Sequence, residues 1–233
     1  MEAVTTIIKD ERGIATSLLE TTIVIAIAAV LSSAALVASI THLDDAKLQQ
    51  AIADTQMIAV SIQSFMNDTG FAPAYRHGNA RGPQDDVFLV LQTQGNDPLV
   101  DSSLHWPTDA STRDLLSNQL VNNEPGYPGT GAFIGIPYPR MGQISWSRYK
   151  GWNGPYTASM PKSDPWDDRY FVNVQFLTPQ GIDLEHDTLT LGVGQRPAVF
   201  AISAGPNRLL ETRFDQVADA FTAGGDDIVF RIQ

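Results

Sequence analysis

The chain contains no cysteine, which excludes disulfide staples, zinc–thiolate sites, iron–sulfur clusters and thiol nucleophiles together. Positive charge is scarce: 15 basic residues stand against 26 acidic ones, a net charge of −11. Such a surface repels phosphate backbones, and no basic stripe with interleaved aromatics counters it, so nucleic acid is not an expected partner. Charge of either sign is missing from Thr21 to Thr41, and neither proline nor glycine occurs between Thr16 and Met66. Catalytic patterns are missing as well. His42, His77, His105 and His186 are scattered without ligand spacing, and Ser203 in FAISAGP does not sit in a G-x-S-x-G elbow. GTGAFIG, from Gly129 to Gly135, lacks the glycine spacing of a dinucleotide site. Enzymatic activity is not expected.

What is present argues for a folded chain. Hydrophobic residues make up 43% and charged residues 18% of the 233 positions, enough to build a core for one domain with an appendage or for two small domains. The uncharged stretch is dominated by Ile23, Val24, Ile25, Ile27, Val30, Leu31, Leu36, Val37 and Ile40. As a helix its 21 residues span roughly 32 Å, close to the hydrocarbon thickness of a bilayer. The expectation is a transmembrane segment at about 21–43, in preference to the shorter apolar region of a cleaved secretory signal or a buried core helix. From Leu43 to Met66 the apolar residues, among them Leu48, Ala51, Ile52, Ile58, Ala59, Ile62 and Phe65, recur at helical spacing. Asp44, Asp45, Lys47 and Asp54 lie mostly on the other face. The two stretches predict one long helix over residues 16–70, stopped by Asn67-Asp68-Thr69-Gly70 with Pro73 just beyond.

The remainder, 71–233, reads as a globular head. A region at about 74–148 is rich in Gly, Pro, Asn and Asp, with short helical patterns near Val87–Gln92 and Thr112–Val121. Strand-like runs follow at Tyr170–Leu177, Thr188–Leu191, Ala198–Ser203 and Ile228–Ile232. Asp164-Pro165-Trp166-Asp167-Asp168 predicts a turn whose aspartates accept N–H groups and whose tryptophan packs over the core. The predicted fold class is α+β: a long N-terminal helix, half transmembrane and half amphipathic, packed on an antiparallel sheet.

Glu20 is the most informative single residue, because it stands at the rim of the apolar run. One reading is a helix-start carboxylate favoured by the dipole; another is a charge within the membrane that needs a cation from a second molecule. The segment ERGIATSLLETTIVIAIAAVLSSAAL resembles the N-terminal signal of type IV pilins and pseudopilins. In that family a short basic leader is cut by a prepilin peptidase, and a glutamate at the fifth mature position meets the new amine of a neighbouring subunit. The resemblance implies a leader over residues 1–15 and a cut within Gly13, Ile14, Ala15 and Thr16. Cutting after Gly13 makes Glu20 the seventh residue, and cutting after Ala15 makes it the fifth; both stay open.

Three head segments resemble the major pseudopilin of type II secretion: QMIAVSIQSFMNDTGFAP (56–73), YKGWNGPYTASMPKSDPWDDRY (149–170), and AVFAISAGPNR with GGDDI (198–228). The resemblance implies a pilin-like head and a calcium site in the last loop, with Asn207 where an aspartate is usual and Asp226 and Asp227 as the terminal pair. Calcium takes six to eight oxygens on such loops. The expected function is a structural subunit of a type IV pilus-like filament, foremost a pseudopilin driving protein export, alternatively an adhesion or motility pilus subunit. A reading from another class is a single-pass membrane-anchored binding domain that does not polymerise. The implied partners are identical or related subunits, the prepilin peptidase, an inner-membrane assembly platform and the membrane. The implied location is the cytoplasmic membrane with the N-terminus in the cytoplasm, and the filament after assembly.

Overall fold

The computed structural model describes residues 2–76, 87–126, 136–140, 151–178 and 195–232, with side chains from Glu20 onward except at positions 34, 37 and 38. Two compact units divide the chain, Met1–Lys47 and Leu48–Gln233. Helix α1 (Glu2–Thr69) contributes to both.

In the first unit the described side chains of α1 are exposed, apolar ones included: Val24, Ile25, Val30 and Leu31 are 64%, 63%, 66% and 65% accessible. In the second unit the helix is one-sided. Ala51, Thr55, Ile58, Ala59, Ile62, Phe65 and Thr69 are buried, at the three- and four-residue steps that place side chains on one face. Phe65 meets the ring of Tyr138 edge-on at 4.8 Å and that of Tyr156 at 5.4 Å. The helix stops as its sequence predicts. Gly70, at φ 71°, takes a left-handed turn that a side chain would disfavour, its N–H bonds the Met66 carbonyl at 2.9 Å, and the Thr69 hydroxyl donates to Phe65 O at 2.8 Å.

Five strands form the main sheet in the order β3-β1-β4-β5-β7, from β1 (Val90–Gln92), β3 (Arg113–Leu115), β4 (Phe171–Val172), β5 (Phe200–Ser203) and β7 (Ile228–Arg231). A second sheet pairs β2 (Leu99–Val100) with β6 (Leu209–Leu210). The core joins the buried face of α1 to Val90, Leu91, Tyr170, Phe171, Val172, Phe200 and Ile202. Tyr170 also donates its hydroxyl to Asp54 on α1 at 2.9 Å.

The predicted fold class is corrected on two points. The sheet is mixed, not antiparallel: β1 runs parallel to β3, Leu91 opposite Asp114, and β2 runs parallel to β6. And among the described residues no helix is long and apolar enough to cross a membrane. The parallel pairing has a physical cause in residues 93–112 between β1 and β3, a crossover long enough for parallel strands. It is folded locally by two one-turn 3-10 helices, Ser102–Leu104 and Ala110–Thr112, capped by Asp101 and Asp109, whose carboxylates each accept a backbone N–H at 2.8 Å.

Three local expectations are also revised. Val87–Gln92 is not helical: its second half, Val90–Gln92, is strand β1, buried at Val90 and Leu91, as a short continuous run permits. Thr112–Val121 divides into β3 and a π-helix at Asn118–Asn122. Tyr170–Leu177 is strand only at Phe171–Val172, and a 3-10 turn at Val174–Leu177 follows. Thr188–Leu191 lies outside the described residues.

Candidate metal-binding loop and assembly helix

The turn after β5 approaches the turn before β7. Gly205, at φ 69°, sits so close to Asp226 that a Cβ there would overlap its carbonyl oxygen. The Asn207 N–H donates to Asp226 Oδ2 at 3.1 Å, and its Nδ2 donates to Glu211 Oε2 at 2.8 Å. Asp227 Oδ2 accepts the N–H groups of Glu211 and Thr212, at 2.9 and 2.5 Å. Asn207, Asp226 and Asp227, predicted from sequence, are therefore brought to one loop pair, and Glu211 joins them. Asp215, four residues beyond Glu211, turns away to His105 at 3.0 Å and Arg213 at 2.6 Å. The signal for Glu211 is its spacing of four residues from Asn207, which the turn at 205–208 brings close enough for the two side chains to bond.

The donor set is all oxygen, the type a hard cation takes. Asp227 Oδ1 is buried without a hydrogen-bond partner among the described residues. Asn207 Oδ1, in contrast, is engaged by the Leu209 N–H at 2.7 Å. Among the described residues no three acidic, histidine or cysteine side chains converge as a ready metal cluster. The residues fit a cation in donor type and in the orphaned Asp227 oxygen, with Glu211 and Asp226 as the nearest further carboxylates.

Burial pushes the Asp227 carboxyl up to about 6, against hydrogen bonds that lower it, with the neighbouring Glu211 charge adding to the rise. A folded-state value above that of an unfolded aspartate means that Asp227 favours folding fully only below about pH 4, and that this contribution fades as the pH climbs through about 6. Thermal unfolding of the wild-type chain is thus expected to lose on the order of 1–2 kcal/mol from this residue between pH 5 and 7.5, after solvent screening. Asp227→Asn, which keeps one acceptor oxygen, should flatten that part of the profile; an unchanged profile would contradict the assignment.

The predicted turn at Asp164–Asp168 supports the same region. Asp164 Oδ1 accepts the N–H groups of Trp166 and Asp168, both at 2.9 Å, and its Oδ2 accepts the Ser203 hydroxyl at 2.6 Å. Burial raises the Asp164 carboxyl above the usual range despite these bonds. The fully buried Asp168 receives a two-pronged bond from Arg208, at 2.9 and 2.7 Å. Trp166 is only half-buried and does not belong to the central core, contrary to expectation. Ser203 is fully buried in β5.

At the other end, Glu20 is exposed and opens the exposed apolar run of α1. Gly13, Ile14, Ala15 and Thr16 lie within the bounds of α1, but their side chains are outside the described residues. His42 is exposed, His105 bonds Asp215, and His77 and His186 are outside the described residues. Compared with known proteins, the chain matches no family model, no curated sequence and no solved structure.

Proposed function

We propose that the chain is a structural subunit of a type IV pilus-like filament, foremost a pseudopilin of a type II secretion system that polymerises through its N-terminal helix to drive protein export. The observation that carries this reading is the exposed run Ile23, Val24, Ile25, Ile27, Val30 and Leu31 behind an exposed Glu20, on a helix whose later residues build a core. Contiguous exposed apolar surface of this extent needs a partner. Identical helices from neighbouring copies supply one, and repeated head-to-tail contact generates an open filament. Glu20 then sits where an unpaired carboxylate gains most from a neighbour's N-terminal amine. The prepilin peptidase and an assembly platform at the cytoplasmic membrane belong to the same proposal, as does residence at that membrane before assembly.

Mass spectrometry of the mature N-terminus in the native host is expected to show removal of the leader, at Gly13 or at Ala15. Glu20→Leu should abolish filament recovery while the head accumulates at its normal level. An N-terminus intact at Met1, with no filament lost on deleting the protein, would refute the reading and favour a binding domain that does not polymerise.

Calcium at the Asn207–Asp227 loop is the second part of the proposal, favoured by the orphaned Asp227 oxygen. Bound there, the ion would neutralise the crowded carboxylates and tie the turn after β5 to the turn before β7. Calcium at a hundredfold excess over its Kd is expected to raise the melting temperature by roughly 5–10 °C, with magnesium giving little. Equal midpoints with calcium, magnesium and chelator would dispose of the metal without touching the filament.

A further inference from the structure

The carboxyl ends of the parallel strands β1 and β3 open onto a concavity of about 520 Å³. Its lining comes from the ends of short elements: Gln92 closes β1 and Gln94 stands in the bend just beyond it, while Asn118 and Asn122 begin and end the π-helix. Asp114 and Asn118 form part of the floor, 6% and 3% accessible, joined by a 2.7 Å hydrogen bond. Arg113 is fixed in the wall: its side chain is 10% accessible, pairs with Asp97 at 2.9 Å, donates Nε to Pro107 O at 3.1 Å, and lies 5.3 Å over the Phe171 ring. Among the described residues the side chains of Gln94, Ser117, Asn122 and Glu124 have no partner within the protein. Rigid walls with unspent polar groups converging on one space are the features of a small-ligand site.

The charges select the ligand. Those nearest the space are mostly spent: Asp114 accepts four N–H donors, and Arg113 is shared between Asp97 and the Pro107 carbonyl. That leaves Glu124, a single carboxylate that repels an anion and supplies too few oxygens to hold a cation. A neutral molecule meets neither obstacle. Side-chain amides offer a donor and an acceptor side by side, which suits adjacent hydroxyl groups. We propose that this concavity binds a neutral saccharide through the amides of Gln92, Gln94 and Asn122 over the Asp114–Asn118 floor. The site is independent of the filament reading, since every residue in it lies in the Leu48–Gln233 unit.

The test uses the full chain, labelled with nitrogen-15, in micelles of a detergent without a sugar headgroup. The probes are the methyl glycosides of glucose, galactose and N-acetylglucosamine, with their β-linked disaccharides. Saturable shifts of the side-chain amide signals of Gln92, Gln94 and Asn122 are expected with at least one probe. The double variant Gln94→Leu, Asn122→Leu changes two exposed side chains and should weaken that binding at least about tenfold, the loss of one to two hydrogen bonds. Absence of shifts with every saccharide overturns the proposal, as does saccharide binding that survives in the double variant. Shifts produced only by tri-alanine, added as a peptide control that would pair with β3, the edge strand among the described residues, overturn it too.

Discussion

Replacing Asp114 by alanine is expected to cost about 3–5 kcal/mol of folding stability, a fall of roughly 10 °C or more in melting temperature. The Asp114 carboxylate accepts four donors: the Leu115 N–H at 2.8 Å, Asn118 Nδ2 at 2.7 Å, Gln119 Nε2 at 2.7 Å and the Gly126 N–H at 2.9 Å. Gln119 is fully buried and passes the network on, its Oε1 accepting the Tyr138 hydroxyl at 2.7 Å. Tyr138 is in turn clamped by Asn123, which donates to its carbonyl at 3.0 Å and accepts its N–H at 2.8 Å. Alanine would leave two buried side-chain amides without their acceptor, each costing about 1–3 kcal/mol, while the N–H groups of the half-buried Leu115 and Gly126 can turn to water. Asp114→Asn separates the contributions: it keeps one acceptor oxygen but turns an NH2 toward donors, so an intermediate loss is expected. Burial outweighs the four hydrogen bonds and raises the Asp114 carboxyl, so its ionisation opposes folding, and its stabilising share is lost as the pH rises through that raised value. Urea unfolding of the three proteins at two pH values measures both effects.

This network also marks where sequence reasoning stopped. The amphipathic stretch of α1 was legible because Ala51, Ile58, Ile62 and Phe65 repeat at the helical period, and the stop at Gly70 because a left-handed residue must end the helix. Strands β5 and β7 lie within predicted runs, Ala198–Ser203 and Ile228–Ile232, both of which alternate or concentrate β-branched and aromatic residues. Two parts of the region 74–148 take another form than expected. VFLVL, from Val87 to Leu91, is uniformly apolar because all five residues are buried, the last two in β1 between β3 and β4, and a run without alternation carries no period to tell a strand from a helix. Its polar residues looked like loop residues, yet Asp114, Asn118, Gln119 and Asn123 are all buried. They are buried because Asp114 satisfies Asn118 and Gln119 while Tyr138 satisfies Gln119 and Asn123, and pairing across 4 to 19 positions leaves no local pattern. The loop acids show the same limit: the family resemblance implied Asn207, Asp226 and Asp227, but Glu211 turns toward Asn207 while Asp215 turns to His105, distant in sequence, and to Arg213, two residues before it.

The turn at Asp164–Asp168 acquires a role that its sequence did not announce. It is fixed to β5 through Ser203 and to the following turn through Arg208, so it sets the position of the residues between them, Gly205 and Asn207 included. A buried carboxylate held by a guanidinium fork is directional, and removing the fork leaves a charge that the interior does not solvate.

Gly205→Ala carries the second large effect. The residue needs φ 69°, a conformation that costs an ordinary side chain about 1–3 kcal/mol, and its Cβ would be driven onto the Asp226 carbonyl oxygen. Backbone gives way less readily than a side-chain tip, so overpacking adds about 1–3 kcal/mol, for a combined loss of about 2–6 kcal/mol. The displacement falls on the residue that accepts the Asn207 N–H and precedes Asp227, so the two turns should part before the sheet does. Hydrogen exchange at the Asn207, Glu211 and Thr212 amides is expected to accelerate most in the variant, with the amides of β4 and β5 less affected. The response to calcium should disappear at concentrations that stabilise the wild-type chain. A variant that melts early yet keeps its full calcium response would place the cation elsewhere, because a site built on Asp226 and Asp227 depends on how closely Gly205 lets the two turns approach.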